Sequence, residues 1–432
     1  MASGDSAVFS WLERRQRTAW KRDLKGMRAL CSRLGDPQKS MRCVHVAGTN
    51  GKGTFCALLS AALRESGYPT GLYISPHLMD MRERIQVGGE PVSKAAFAAA
   101  LRAVRKEEHE PLGFFEILTA AAFLHFRRAG VEAAVIETGL GGRLDATNIL
   151  EDPVLCVVSS IGFDHIPQLG NTLEEIAREK AGIFKPGVPV LCGEAAPGSM
   201  RVLREHARVQ GCPFRIARAR LSPVSTDWST GSQVLSDARR RSWTLALPGA
   251  KAAANASLAL EAADILRARG LDLPSEALGR AFASIRWPGR FQILDVGAFL
   301  PEHRGRLLVL DGAHNPPAME AFLQTWNASP YSLKRATFIV GMLSDKDHSV
   351  MLRRLAPSAK ETILARPDSP RALEPEAAAA ELVGGGGRVL GSARSAQEAL
   401  RLWLKKGARI GVVCGSFYLV GGVLKSLRGR KS

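Results

Sequence analysis

The stretch with the clearest chemistry is Gly48-Thr49-Asn50-Gly51-Lys52-Gly53-Thr54, set between a β-branched run ending at Ala47 and a helical pattern. Glycines let the backbone curl so that successive N–H groups face phosphate oxygens. The following helix N-terminus adds partial positive charge, and Lys52 adds a full one. The spacing departs from the usual GxxxxGK[ST] loop, because Gly53 follows the lysine and the hydroxyl arrives one place later at Thr54. The loop reads as nucleotide-binding, with a plain strand-to-helix turn as the alternative.

Ser75, Glu137 and His165 each fall at or just beyond the end of a predicted parallel strand, the edge where α/β sheets bind ligands. Hydroxyl, carboxylate and imidazole suit a magnesium ion that also holds phosphate and water, although imidazole is an unusual magnesium ligand. Other readings stay open: a turn cap for Ser75, an arginine partner for Glu137 and a loop carbonyl for His165. Further on, Asp311, His314 and Asn315 follow the run Leu307–Leu310, again at a strand end. Asp311 is open to a second reading as an Asx turn. Arg290 offers a planar fork suited to phosphate. Asp345-Lys346-Asp347 follows the next strand and could bond across a cleft, orient an amine, or form a solvated turn.

The elements that must hold these residues are short apolar runs alternating with helical patterns. Cys43–Ala47, Thr70–Ile74, Ala133–Glu137, Val154–Ile161 and Val188–Cys192 read as buried parallel strands, apolar on consecutive positions. Thr54–Ser66, Phe115–Arg128 and Leu173–Ala181 read as intervening helices, and Arg84–Pro91 as a hairpin turning at Gly88-Gly89. A second series follows: Leu307–Leu310, Ala336–Val340, Glu361–Ala365, Arg388–Leu390 and Ile410–Cys414. Helical stretches Lys251–Ala268 and Ser275–Ser284 separate the two series and lead to Trp287-Pro288-Gly289-Arg290, a linker signal. The fold class predicted is α/β: a parallel-sheet ATPase domain carrying the P-loop, then a smaller Rossmann-like α/β C-terminal domain.

Composition narrows the function classes. The 432 residues are 46% hydrophobic and 23% charged, enough for two or three domains with their own cores, and not a disordered composition. No apolar run approaches the ~18 residues of a spanning helix, and the N-terminal stretch lacks the apolar centre of a signal peptide. A soluble, cytoplasmic protein with no membrane partner is expected. Seven scattered cysteines without a CxxC pair fit reduced thiols rather than a zinc site or disulfide frame. Lys plus Arg number 59 against 41 Asp plus Glu, a net charge of +18 that favours an anionic partner such as a nucleotide or polycarboxylate, or reflects an arginine-rich surface. The basic residues are dispersed without interleaved aromatics, beyond clusters at 239–241 and 425–431, so no nucleic-acid partner is expected.

The motif HVAGTNGKGT, with Ser75-Pro76-His77-Leu78, Arg82-Glu83-Arg84-Ile85, the run Glu137–Asn148, Asp164-His165, Glu179–Ile183, Gly289-Arg290-Phe291, Leu310–Pro316, Asp345-Lys346-Asp347 and Cys414-Gly415-Ser416, resembles the folylpolyglutamate synthase/dihydrofolate synthase family of the Mur-ligase superfamily. The resemblance runs through most of the chain. It implies an ATP-binding central domain over 1–295 and a glutamate-ligase domain over 296–432. It implies ATP-dependent addition of L-glutamate to dihydropteroate or folates through an acyl phosphate. It makes Ser75, Glu137 and His165 metal ligands for Mg2+, with two ions in all, and makes Lys180 a carbamylated lysine. Lys52, Lys180 and His314 become catalytic. Gly48, Thr49, Asn50, Gly51, Lys52, Gly53, Thr54, Asn255, Arg290 and Asp311 become nucleotide-binding. Phe115, Arg84 and Asp145 fall on the pterin side, where Phe115 could equally be a core residue, and Lys180 could equally be a helix-surface lysine paired with Glu175 or Glu179. Monomeric behaviour is implied as well. One departure is visible: Lys251-Ala252 precede Asn255 where the family carries His-Gln. The rival readings are a Mur-type amino-acid ligase of peptidoglycan precursors and a P-loop protein that binds nucleotide without ligating.

Overall fold

The structure is a computed structural model and describes residues 2–15 and 23–429. Its first sheet contains β1 (Arg42–Ala47), β2 (Thr70–Tyr73), β3 (Ile85–Val87), β4 (Glu90–Pro91), β5 (Ala133–Glu137), β6 (Leu155–Ser160), β7 (Val190–Glu194) and β8 (Phe214–Ile216). The spatial order is β4-β3-β2-β5-β1-β6-β7-β8, parallel throughout except for the antiparallel β3 and β4 edge. All five residues of β5 are buried, as expected of a strand covered on both faces. Val135 enters the core on one face of the sheet, and Ala134 and Ile136 enter the core on the other. Phe55, Leu58 and Phe282 fill the first of these cores, and Phe97, Phe123 and Phe126 the second.

Three further strands, β9 (Leu221–Asp227), β10 (Ser232–Asp237) and β11 (Ser242–Leu245), form an antiparallel sheet that was not foreseen. Only scattered residues of these strands are buried, Leu235, Trp243 and Leu245 among them. That leaves too thin an alternation for a sequence reading to catch. The last sheet comprises β12 (Gln292–Asp295), β13 (Leu307–Leu310), β14 (Ala336–Val340), β15 (Thr362–Ala365), β16 (Val389–Ala393) and β17 (Ile410–Cys414), in the order β12-β13-β17-β14-β15-β16. Antiparallel pairing of β12 with β13 binds residues 292–295 to this second sheet. The second lobe therefore begins ahead of the 295/296 boundary expected from sequence.

The helices that carry functional side chains have local reasons to start where they do. Lys52–Glu65 opens at Gly51, whose φ of 83° is left-handed, directly after the loop. Leu173–Ala181 carries Lys180 and is started by a capping box: Thr172 Oγ1 accepts from Glu175 N, and the Glu175 carboxylate accepts from Thr172 N. Pro316–Ala328 is capped by Asn315, whose Oδ1 accepts from Ala318 N at 2.9 Å. All seven cysteines are free and buried. Among the described residues no helix is long and apolar enough to cross a membrane. Of the basic tail, residues 430–432 lie outside the described residues.

Phe282 is fully buried, on a helix packed against Lys52–Glu65, with its ring 5.9 Å from that of Trp243. Phe282→Ala should remove about 3–5 kcal/mol of stability from the first lobe, read by chemical denaturation. A loss under about 1 kcal/mol would mean that the core closes over the cavity.

Candidate active site

The loop 48–54 lies at the C-terminal edge of β1 and is held open by β6. Thr49 N donates to Ser160 O at 2.8 Å, Asn50 N donates to Ser160 Oγ at 3.1 Å, and the hydroxyls of Ser159 and Ser160 both donate to Asn50 O. The two serines end an otherwise apolar strand, a signal available in the sequence. A Cβ at Gly48 would collide with Ser159 Oγ, and one at Gly53 would lie 3.5 Å from Glu137 Oε2. That second distance is ordinary van der Waals contact, and the nearest neighbour of such a Cβ would be Trp287 Cζ2 at 3.3 Å. Lys52 Nζ donates to Gly48 O at 3.0 Å and Thr49 O at 3.2 Å, and lies 3.9 Å from Glu137 Oε1. The loop borders a cleft that is also lined by Ser75, Glu137, His165, Lys180, Arg290 and His314.

Besides the loop itself, six residues expected at the site from sequence thus converge on one cleft. Glu137 is 2% exposed, and its Oε2 accepts from Ser75 N at 3.0 Å. Burial pushes its carboxyl pKa up, opposed by Lys52, the Ser75 hydrogen bond, Arg290 and Arg84. His165 follows β6 with a left-handed φ of 53°. Burial lowers its pKa to about 4, so the imidazole is neutral at pH 7. Lys180 is 3% exposed and donates to Gly48 O at 2.8 Å, far from the helix-surface lysine of the alternative reading. Burial first, then the charge of Lys52, brings its pKa down to about 7. Among the described residues no group of three His, Cys, Asp or Glu side chains forms a metal cluster.

From the connector, Arg290 is half-buried and lies over the Phe417 ring of the second lobe, 4.3 Å from its centroid. His314 packs against the same ring and shares a hydrogen bond with Gly312 O through Nδ1 at 2.9 Å. Burial lowers the His314 pKa to about 4. Phe417 itself was not read from the sequence. Asp311 is spent on the backbone: one oxygen accepts from Phe291 N and the other from Ala313 N. That matches the Asx-turn alternative.

Asp164, next to His165, receives a hydrogen bond from Lys346 Nζ and another from Asn315 Nδ2, both from the second lobe. Its carboxyl sits far below the usual range: burial opposes this, but His165 and His314, both protonated at the acid pH where this group titrates, and Lys346 outweigh it. Asn315 also exchanges two hydrogen bonds of 3.0 Å with Asn50. Lys346 thus bonds across the cleft, one of the roles open to it from sequence. The partnership of Asn50, Asp164 and Asn315 was not foreseen.

The remaining expected residues lie around this centre. Phe115 packs under Gly139 and beside Tyr73, at 5.7 Å between ring centroids, and is half-buried. Arg84 is buried, with Nε on His77 Nδ1 at 2.9 Å and its guanidinium over Phe114. Asp145 accepts from Gly139 N, Leu140 N, Thr147 N and Thr147 Oγ1, so its oxygens organise the 138–148 loop. Thr54 is buried in the first helical turn. Asn255 Nδ2 donates to Lys251 O, and its amide faces Gly51. Lys251 itself pairs with Glu194.

A Mur ligase middle domain matches residues 46–263, and a Mur ligase glutamate ligase domain matches residues 289–417. With a phosphate loop at the edge of one sheet and a second lobe closing on it, these define a Mur-type ATP-dependent ligase. Dihydrofolate synthase/folylpolyglutamate synthase of Bacillus subtilis is 35% identical over 381 residues, 84% of this chain and 85% of its own. The Escherichia coli protein of the same name is 33% identical over 434 residues, 100% of this chain and 97% of its own. The solved structure of E. coli FolC in complex with DHPP and ADP is 32% identical, with a TM-score of 0.83 and 98% of each chain covered. Mycobacterium tuberculosis folylpolyglutamate synthase complexed with ADP is 29% identical, with a TM-score of 0.85 and 99% of each chain covered. The chain belongs to the folylpolyglutamate synthase/dihydrofolate synthase family, and its reaction is ATP-dependent glutamate ligation to folates.

The lowered Lys180 pKa has a stability consequence. Between about 7 and the unfolded value near 10.5, the unfolded chain holds a proton at this lysine that the folded chain lacks. The cost of burying the ammonium is therefore relieved as pH rises through that window. The ligand-free protein should melt at higher temperature at pH 9 than at pH 7 through this group, and Lys180→Met should flatten the trend. Parallel slopes for the two proteins across pH 7–9 would contradict the assignment.

Proposed function

We propose that the cleft between the lobes binds ATP with its terminal phosphate toward the acceptor's carboxylate, and that the protein is a glutamate ligase acting on both dihydropteroate and folates. The observation that carries this reading is the convergence of Lys52, Glu137, His165, Lys180, Arg290 and His314 on the phosphate loop. A carboxylate does not condense with an amine at neutral pH because oxide is a poor leaving group. Phosphorylation gives an acyl phosphate, and the α-amine of L-glutamate displaces phosphate from it to form an amide. The chain's own work is positioning and charge neutralisation. Loop N–H groups at 48–54, that of Asn50 among them, with Lys52 and Thr54, hold the β- and γ-phosphates. Arg290 neutralises the side facing the second lobe, Asn255 flanks the nucleoside, and Asp311 serves the nucleotide side by fixing the backbone at Phe291 and Ala313. His314, neutral at pH 7, is placed to accept a proton from the attacking amine.

Ser75, Glu137 and His165 are the residues for Mg2+. The donor set fits an ion that takes most of its ligands from phosphate and water: one buried carboxylate, one hydroxyl and one uncharged imidazole. When bound, Mg2+ supplies charge that stabilises the transferring phosphoryl group. Lys180 is proposed to carry a carbamate. A buried amine with a pKa of about 7 has a substantial uncharged fraction at neutral pH, and that fraction can add to carbon dioxide, forming an N–C bond with loss of a proton. That exchanges a cation beside Lys52 for an anion able to hold a second magnesium ion. Phe115 and Arg84 are proposed to face the pterin acceptor, with Asp145 shaping the loop beneath it. The working division of the chain is proposed at the connector 288–291, between the ATP-binding and glutamate-ligase parts. A cytoplasmic monomer fits the free, buried cysteines.

Purified protein with ATP, L-glutamate and either dihydropteroate or tetrahydrofolate should release ADP and form the glutamylated product with both acceptors. Phosphate release indifferent to either acceptor would defeat the ligase reading. Lys52→Ala should reduce kcat/KM by about a hundredfold or more, as expected for loss of a charge stabilising phosphoryl transfer. With ¹³C-labelled carbon dioxide the native protein should show a carbamate carbon resonance that Lys180→Ala lacks. A spectrum shared by both proteins would remove the carbamate.

A further inference from the structure

We propose that Asn315 is a positioning residue that couples closure of the lobes to the shape of the phosphate loop. One amide performs three tasks. Its Oδ1 caps the helix Pro316–Ala328 of the second lobe at Ala318 N. The same oxygen accepts from Asn50 Nδ2, and its Nδ2 donates back to Asn50 Oδ1, both at 3.0 Å. Its Nδ2 also donates to Asp164 Oδ2 at 2.8 Å. Asn50 belongs to the phosphate loop, and Asp164 Oδ1 accepts from the N–H of His165 at 2.9 Å. The second lobe therefore grips both ligand-binding loops of the first through a side chain only 1% exposed. Lys346 reinforces the grip from a second strand end: it pairs with Asp164, each side chain 7% exposed, and its Nζ lies 3.4 Å from His165 Nε2.

The consequence is mechanical. Opening the lobes breaks the Asn50 pair and strips Asp164 of Asn315, Lys346 and the nearby His314 ring at once. Buried groups deprived of partners are costly, so the loops and the lobes favour one joint arrangement. In the joined state Asn50 cannot turn without releasing the second lobe, and the cleft stays closed while the phosphate loop keeps its shape. For the ligase this deepens the reading above and rests on it: the clasp keeps water from the acyl phosphate until the amine has attacked.

Asn315→Ser tests the idea, because serine still caps a helix but cannot span to Asn50 and Asp164. Hydrogen–deuterium exchange on the ligand-free protein should show segments 48–54 and 160–166 exchanging about threefold faster or more, although both lie in the other lobe. In the ligation assay phosphate released per amide formed should rise above one as the acyl phosphate hydrolyses. A fold-stability defect alone would lower both products together and keep the ratio. Lys346→Met leaves the cap untouched and should quicken exchange at 160–166, which covers the case of a serine variant that does not fold. Unchanged exchange at 48–54 and 160–166 would overturn the clasp. Faster exchange with an unchanged ratio and unchanged kcat would overturn its coupling to closure. If the wild type formed no amide, the ligase reading would fail while the exchange measurement still decided the clasp.

Discussion

The structure depends on an excess of positive charge held away from water at one sheet edge. Lys52, Lys180 and Arg290 border the same space, Arg84 acts on it from behind through Glu137, and Glu137 and Asp164 are the carboxylates that line it. Among the described residues neither Arg84 nor Arg290 has a carboxylate within ion-pair distance, and burial weakens the charged form of each. Charge kept in low dielectric without a counterion is unfavourable by several kcal/mol or more. A protein tolerates it where a ligand supplies the missing anions. Phosphates and carboxylates are the anions this reaction brings, so the cost of burying these cations and their affinity for such anions have one origin.

The scaffold makes that concentration possible. Parallel strands end at a common edge, and each following turn adds a side chain to the same small volume. Glu137 ends β5, the loop 48–54 follows β1, and Asp164-His165 follow β6, which are neighbours in the sheet. The second sheet repeats the device with β13 and β14, delivering His314 and Lys346. Two edges facing each other give a closable cleft, and the polar bridges at Asn315 and Lys346 give it a preferred closed form.

Much of this was legible in the sequence because it is local. The loop glycines, the strand runs and residues placed just past strand ends need only nearby spacing, and Glu137, His165 and Lys180 were found that way or through the family motif. The unread parts are long-range or context-dependent. Asn50 and Asn315 are 265 positions apart, and no periodicity links them. Asp145 and Asp311 look like ligand-binding carboxylates in a motif, yet their oxygens are consumed by neighbouring N–H groups, which only coordinates reveal. The antiparallel strands β9 to β11 bury few side chains and give a weak pattern. Lys180 was read through resemblance alone. Its burial against Gly48 O supplies the physical reason that spacing lacked.

Arg290 belongs to the connector itself, one residue past Gly289, whose carbonyl receives Gly312 N at 2.9 Å. Its guanidinium is clamped on Phe417 and feels Glu137 from the first lobe and Asp311 from the second. Any pivot at this joint must carry the guanidinium with it. The electrostatic potential inside the cavity is thus a function of the hinge angle, deepest when shut and shallower as the joint swings apart.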